Sequence, residues 1–342
     1  MEPADGPAVG ALLAAEAATT SVAMTTRYQH DVFASLVAQH ADVIGVVATA
    51  PGYEGLVGMA TAFIDEVQVE GQLLPRAMLE NLKVRHDVRR MGLGRQLAAW
   101  RIEEARRRFN GPGVIMAGVE ATNAASLATA GKWASQVLGP LRIVIGPTTR
   151  DGPNLRSARV RDIEDADVEA VVAGSNTFHA GTNLYPWLTV DSLKAMLAPM
   201  APGGRARTYR VAASPDGSIL AGAVVMQRYD LMVDHIDRLP APLALMNKVL
   251  SLVPPDGVIR SLEVGLPWYA PGQLEAGRRL WEQIRHEWRG KATHVGAVID
   301  PKSEAAAMCR VSPLTPGPRL KLMVPVDSPV PLSASKPITM IR

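Results

Sequence analysis

Apolar positions along the chain sort into two runs of elements with a common order. In the first run, residues 5–18 and 29–39 space their apolar side chains at helical intervals. Residues 43–48 form an apolar, β-branched strand pattern. Strands follow over 56–65 and 76–85, across turns marked by Pro51-Gly52, Glu54-Gly55 and Glu70-Gly71. A helix over 92–109 carries its apolar stripe on Leu97, Ala98, Ile102, Ala105 and Phe109, and Gly111-Pro112-Gly113 stops it. A strand over 114–119, a short helix over 123–132 and a strand over 141–145 complete the run.

The second run follows a Pro- and Gly-bearing stretch at 147–154. It reads as a strand over 158–160, a helix over 167–173, and strands near 209–213, 219–228 and 259–265. Leu274, Gly277, Trp281, Ile284 and Trp288 then mark one helix face, before a strand over 293–299. Both runs open on the same short pattern, Ala4-Asp5-x-x-Ala8-Val9 and Ala166-Asp167-x-x-Ala170-Val171. An Asp at a helix mouth meets free backbone N–H groups and suits the positive end of the helix dipole. The pattern predicts an α/β (α+β) protein of two halves, 1–147 and 157–342, joined by a linker at 148–156. The second half has a strand before its Ala-Asp helix, whereas only Met1–Pro3 precede the first. Either the first half lacks that edge strand or its natural start lies upstream.

Composition narrows the class. The 342 residues are 47% hydrophobic and 20% charged, as in a globular protein with a real core. A formal net charge of +3 is too weak to argue for nucleic acid. Cys309 stands alone, so no intrachain disulfide forms, and the seven His show no metal spacing. The acidic head Glu2 and Asp5, with Glu16 interrupting the apolar stretch, argues against a signal peptide. No run of about 18 apolar residues is present to span a membrane. The expectation is a cytoplasmic enzyme without metal.

The stretch that carries chemistry is Leu82-Lys83-Val84-Arg85-His86-Asp87-Val88-Arg89-Arg90-Met91-Gly92-Leu93-Gly94-Arg95, in which a strand runs through a glycine-bearing turn into a helix. The first N–H groups of a helix have no intrahelical partner and face the positive dipole end, an arrangement suited to a pyrophosphate. Gly92 and Gly94 admit phosphate close to the backbone, and Arg89, Arg90 and Arg95 add charge. A dinucleotide fingerprint needs a third glycine where Leu97 stands, and a P-loop needs the absent Gly-Lys-Ser/Thr.

This Arg-x-x-Gly-x-Gly segment resembles the acetyl-CoA motif of the GNAT acetyltransferases, and the element order over residues 5–145 is similar to theirs. Arg89-Arg90-Met91-Gly92-Leu93-Gly94, Asn123 with Ser126, and Gly131-Lys132 also resemble the plant HOOKLESS-type acetyltransferases, which carry a weakly related second half. The resemblance implies tandem GNAT-like domains, each a mixed, splayed, mostly antiparallel sheet flanked by helices. It also implies acetyl-CoA as co-substrate, with pantetheine between strands 76–85 and 114–119 and Asn123 opening the helix near the CoA arm. The acceptor is then a primary amine on a small molecule or peptide.

Two departures matter. The stretch 123–133 lacks the Tyr that many members use to protonate the leaving thiolate. Met78 stands where many members place a base, and Glu80 follows two residues on, expected on a face shared with Leu82 and Val84. Glu80 is therefore the candidate base. A non-catalytic acyl-CoA sensor or partner-binding module is the alternative. Glu66 and Glu70 are candidates to attract a cationic amine, and Arg101 with Arg106-Arg107-Arg108 reads as a solvated helix face.

Overall fold

A computed structural model of the chain describes residues 1–15, 18–19, 23–149, 151–153, 158–201, 204–239, 241, 244–245, 247, 253–311, 318–325 and 331–340. The first half contains α1 (Gly6–Ala15), β1 (Ala18–Thr19), β2 (Ala23–Tyr28), α2 (Val32–Gln39), β3 (Asp42–Ala48), β4 (Gly58–Val69), β5 (Gln72–Val84), α3 (Leu93–Arg108), β6 (Val114–Glu120), α4 (Ala124–Ala130) and β7 (Ala134–Pro147). The second begins with β8 (Arg159–Asp162), α5 (Val168–His179), α6 (Val190–Leu197), β9 (Met200–Ala201), β10 (Gly204–Arg205), β11 (Arg207–Ala213) and β12 (Ile219–Met226). It continues with β13 (Met232–Arg238), β14 (Val258–Ile259), β15 (Ser261–Tyr269), α7 (Leu274–Glu287), β16 (His294–Ile299), α8 (Ala305–Met308) and β17 (Arg319–Pro325).

The repeated Ala-Asp pattern builds the same device twice. Glu2 N–H donates to Asp5 Oδ2 at 2.6 Å, and Glu164 N–H to Asp167 Oδ2 at 2.7 Å, each closing a capping box around a 3-10 turn. Val9 and Val171, at matched positions, are fully buried. Sheet topology repeats as well. Strands β3-β4-β5-β6 pair antiparallel, antiparallel, then parallel, and so do β11-β12-β15-β16. In each half one helix, α3 or α7, connects the parallel pair.

The halves then exchange their last strands. β17, from the second half, pairs antiparallel with β6, while β7, from the first, pairs antiparallel with β16. β7 and β17 also pair with each other, which produces one eleven-stranded sheet. A smaller sheet crosses the halves too, through β2 and β13. Strands β2 and β13 and helix α6 lie outside the sequence expectation, and β7 begins at Ala134 where a strand was expected only from 141. Residues 16 and 17 of the expected first helix, and 150 and 154–156 of the expected linker, lie outside the described residues.

Candidate active site

Two strands part to form the site. β5 pairs with β6 only over residues 76–79 and 114–117, so Glu80–Val84 and Gly118–Glu120 diverge. The parting coincides with a β-bulge. Thr61 pairs with Glu80 but Met59 with Lys83, so two residues of β5 oppose Ala60. Asn81 takes a positive φ of 50° there, and its Nδ2 donates to Thr61 Oγ1 at 3.1 Å. The extra residue overturns the expected face. In register, Glu80 lies with Thr61, Met59 and Lys83, on the side opposite Val84, which packs toward α3.

Arg101 is also not a solvated residue. It is 3% exposed, and its Nη1 donates to the carbonyls of Thr61 (3.0 Å) and Glu80 (2.7 Å). The cation thus meets two acceptors at the bulge. Burial draws its pKa down to about 10, against the opposing pull of the Glu80 charge.

Beyond Val84 the chain turns toward α3 over a short 3-10 turn. Val88 is buried, Arg85 is held bidentately by Asp87, and Arg89 Nε donates to the Val84 carbonyl at 3.0 Å. Gly92 is the N-cap of α3 at φ 87°, and Arg90 also has positive φ. The first i→i−4 bond is Gln96 N–H to Gly92 O, at 3.1 Å. The amides of Leu93 and Gly94 therefore precede the intrahelical ladder, and a glycine cap offers no side-chain oxygen to meet them. A Cβ at Gly92 would meet nothing within 4 Å, and one at Gly94 only Val84 Cγ2 at 3.8 Å. The space in front of these amides is open, and Arg89, Arg90, Met91 and Arg95 around it are exposed. The loop thus fits a pyrophosphate. Asn123 caps α4, its Oδ1 accepting from Ser126 N–H at 3.0 Å.

On the Glu80 side the second half contributes. Arg228 Nη1 donates to Asp234 Oδ2 (2.6 Å) and Ser261 Oγ (3.2 Å), and its Nε lies 3.4 Å from Glu263 Oε1. Burial disfavours the Arg228 cation, but Asp234 and Glu263 outweigh it and hold its pKa above the usual range. Tyr28 of β2 lies in this field. Burial pushes its hydroxyl up to about 12, with Arg228 pulling down and Glu80 and Asp234 pushing up. Tyr28, Arg228 and Asp234 meet only because β2 pairs with β13 across some two hundred residues, and no local sequence signal announces them.

Other candidates are committed elsewhere. Glu70 accepts from Asn183 Nδ2 (2.6 Å) and Ser333 N–H (2.9 Å) and pairs with Lys336 (2.7 Å), so it anchors the C-terminal stretch. Cys309 is buried, which pushes its thiol up to about 12. In the second half, β15 pairs with β16 only over Ser261–Glu263, but Ala305, Ala306, Met308 and Cys309 pack there into the core with Leu262, Val264 and Leu280. Among the described residues, no group of three or more His, Cys, Asp or Glu is placed to hold a metal, and no helix is long and apolar enough to cross a membrane.

Residues 15–133 match the family model described as Acetyltransferase (GNAT) family. No curated protein matches the chain. Among solved structures, Saccharomyces cerevisiae N-myristoyltransferase with bound myristoyl-CoA aligns with a TM-score of 0.61 at 11% identity, over 93% of this chain and 75% of that one. A GCN5-related N-acetyltransferase from Sphaerobacter thermophilus aligns with a TM-score of 0.54 at 14% identity, over 95% and 94%. These likenesses are of fold, in both halves. Residues 15–133, with the splayed strands and the glycine turn at their end, thus form the part of the chain that matches the acetyltransferase (GNAT) family.

Proposed function

We propose that the protein transfers an acyl group, acetyl in the first instance, from acyl-CoA to a primary amine of a small molecule or peptide. One observation carries the reading: the strand that parts from its neighbour at Glu80 ends, a few residues on, in an open glycine-capped helix start. The pyrophosphate takes the amides of residues 91–95, with Arg89, Arg90 and Arg95 supplying charge. Pantetheine then lies along Leu82, Lys83 and Val84, between the parted strands and near Asn123. Residues 1–147 bind CoA, and 157–342 shape the acceptor side.

Glu80 accepts the proton of the acceptor ammonium, directly or through water. The freed nitrogen attacks the thioester carbonyl and the N–C bond forms; as the C–S bond breaks, the nitrogen loses its second proton to solvent, and CoA leaves as thiolate to be protonated by solvent. Positioning and backbone dipoles at the developing oxyanion do most of the remaining work.

The test is thiol release from acetyl-CoA and longer acyl-CoAs against a panel of amines, repeated with Glu80→Gln. Removing a general base lowers kcat by about 10²–10⁴-fold. A fall of less than about threefold, with CoA affinity held, takes the base role from Glu80. Acyl-CoA binding with no transfer to any amine favours the non-catalytic sensor instead.

A further inference from the structure

The sheet face that carries Glu80 continues away from the thioester gap. Along it the cross-strand pairs run Thr61–Glu80, Phe63–Met78 and Asp65–Arg76. Arg76 therefore shares the face of Glu80, with its Cα about 13 Å along the strand. It is 1% exposed. Its Nε donates to Asp65 Oδ1 at 2.8 Å and its Nη2 to Asp65 Oδ2, whereas Nη1 is buried with no hydrogen-bond partner among the described residues.

A second buried guanidinium arrives from the other half. Arg207, at the start of β11, is 6% exposed. Its Nη2 donates to the Gln39 carbonyl, and its Nε is buried without a partner among the described residues. His40, next in sequence to Gln39, stacks on Phe63 with ring centroids 3.7 Å apart, and the Arg76 guanidinium carbon lies 5.8 Å from the centre of the same ring. Burial, then the fields of Arg207 and Arg76, hold His40 down at about 3, so it is a neutral imidazole beside the two cations. Asp65 answers Arg76 on two of its nitrogens, and Glu263 reaches Arg207 through its field. Arg76 Nη1 and Arg207 Nε are left without an acceptor among the described residues.

A buried donor without a partner is unfavourable until something accepts from it. A carboxylate satisfies two guanidinium donors at once with charge-assisted bonds, which a neutral group does less well. We propose that Arg76 and Arg207 hold a carboxylate of the acceptor, so that the acceptor is an amino acid or short peptide whose amine reaches Glu80 from the Phe63 side. The two halves then share acceptor recognition. This rests on the reading that the Glu80 face receives the amine.

The probes are L-amino acids and glycine dipeptides, each beside its C-terminal amide, with the full chain. Binding is read first, without acyl-CoA, as the rise in Tm of the wild-type protein. The expected result is a carboxylate form that raises Tm where its amide does not, and an Arg207→Gln protein, checked for a cooperative melt, in which the difference vanishes. Transfer is read second. The carboxylate form is expected to exceed its amide in kcat/KM by tenfold or more, and Arg207→Gln to bring the ratio within about threefold. Equal Tm shifts for acid and amide across the wild-type panel overturn the proposal, leaving the donors to water. Carboxylate-selective binding with no transfer to any amine instead overturns the acyltransfer reading and leaves the subsite standing.

Discussion

Glu80, Arg101 and Asn81 show how a residue's role is decided by what its neighbours do to the backbone. The alternation of Glu80, Leu82 and Val84 reads as one face, but the positive φ at Asn81 inserts a bulge and turns Glu80 to the other. Arg101, three residues past the helical apolar position Ala98, is drawn inward, where its Nη1 reaches the carbonyls of Thr61 and Glu80 beside the bulge. Neither outcome is written in periodicity. The buried His179 carries a prediction at the same scale. Burial lowers its pKa from 6.5 to about 3, and its ring stacks on Tyr185 at 4.6 Å with Nε2 unpartnered among the described residues. Between those two pH values the unfolded chain binds the proton and the folded protein does not. Stability from this group is thus present above pH 6.5 and lost as pH falls, by about 1.4 kcal/mol per unit. His179→Phe, which keeps the stacked ring, is expected to flatten the fall in urea-melt stability between pH 6.5 and 5. An unchanged slope contradicts the assignment.

At the scale of elements, the strand–turn–helix unit of β5 and α3 was legible because its signals are local. Gly92 and Gly94, the arginines and the apolar stripe all lie within one window, and the helix begins within a residue of its expected start. The Ala-Asp openings were legible for the same reason, each being a capping box closed over four residues. Strands β2, β13 and β17 were not, since their partners lie on remote segments and their composition does not set them apart from loops. Arg101 ties α3 to the bulge that sets the gap between β5 and β6. Arg101→Met removes this donor from the carbonyls of Thr61 and Glu80, and is expected to cost about 2–3 kcal/mol in urea unfolding and to weaken acyl-CoA binding. A variant as stable as wild type, with full affinity, contradicts that role.

For the whole molecule, the exchange of β7 and β17 makes the two halves one hydrogen-bonded sheet. Removing the second half strips β6 of β17 and β7 of both its partners, β17 and β16, and leaves bare sheet edges. Residues 1–147 alone are therefore expected to aggregate or melt without cooperativity, whereas the full chain melts in a single transition. A soluble, cooperatively folded 1–147 fragment contradicts this. The repeated element order was visible in sequence, but the exchange joins segments far apart in the chain and leaves no local trace. It also leaves two unequal clefts. Only the first ends in a basic glycine turn; the second half's Leu266–Gly277 stretch lacks one, and α8 side chains fill its core. One CoA is thus expected to bind, against residues 91–95. Calorimetric titration of CoA into the wild-type chain and into Gly92→Glu tests it directly. One CoA per chain is expected, and an affinity loss of about 1–3 kcal/mol when a bulky anionic side chain is forced into the φ 87° cap in front of the amides. Two CoA per chain, or unchanged affinity in Gly92→Glu, would contradict it.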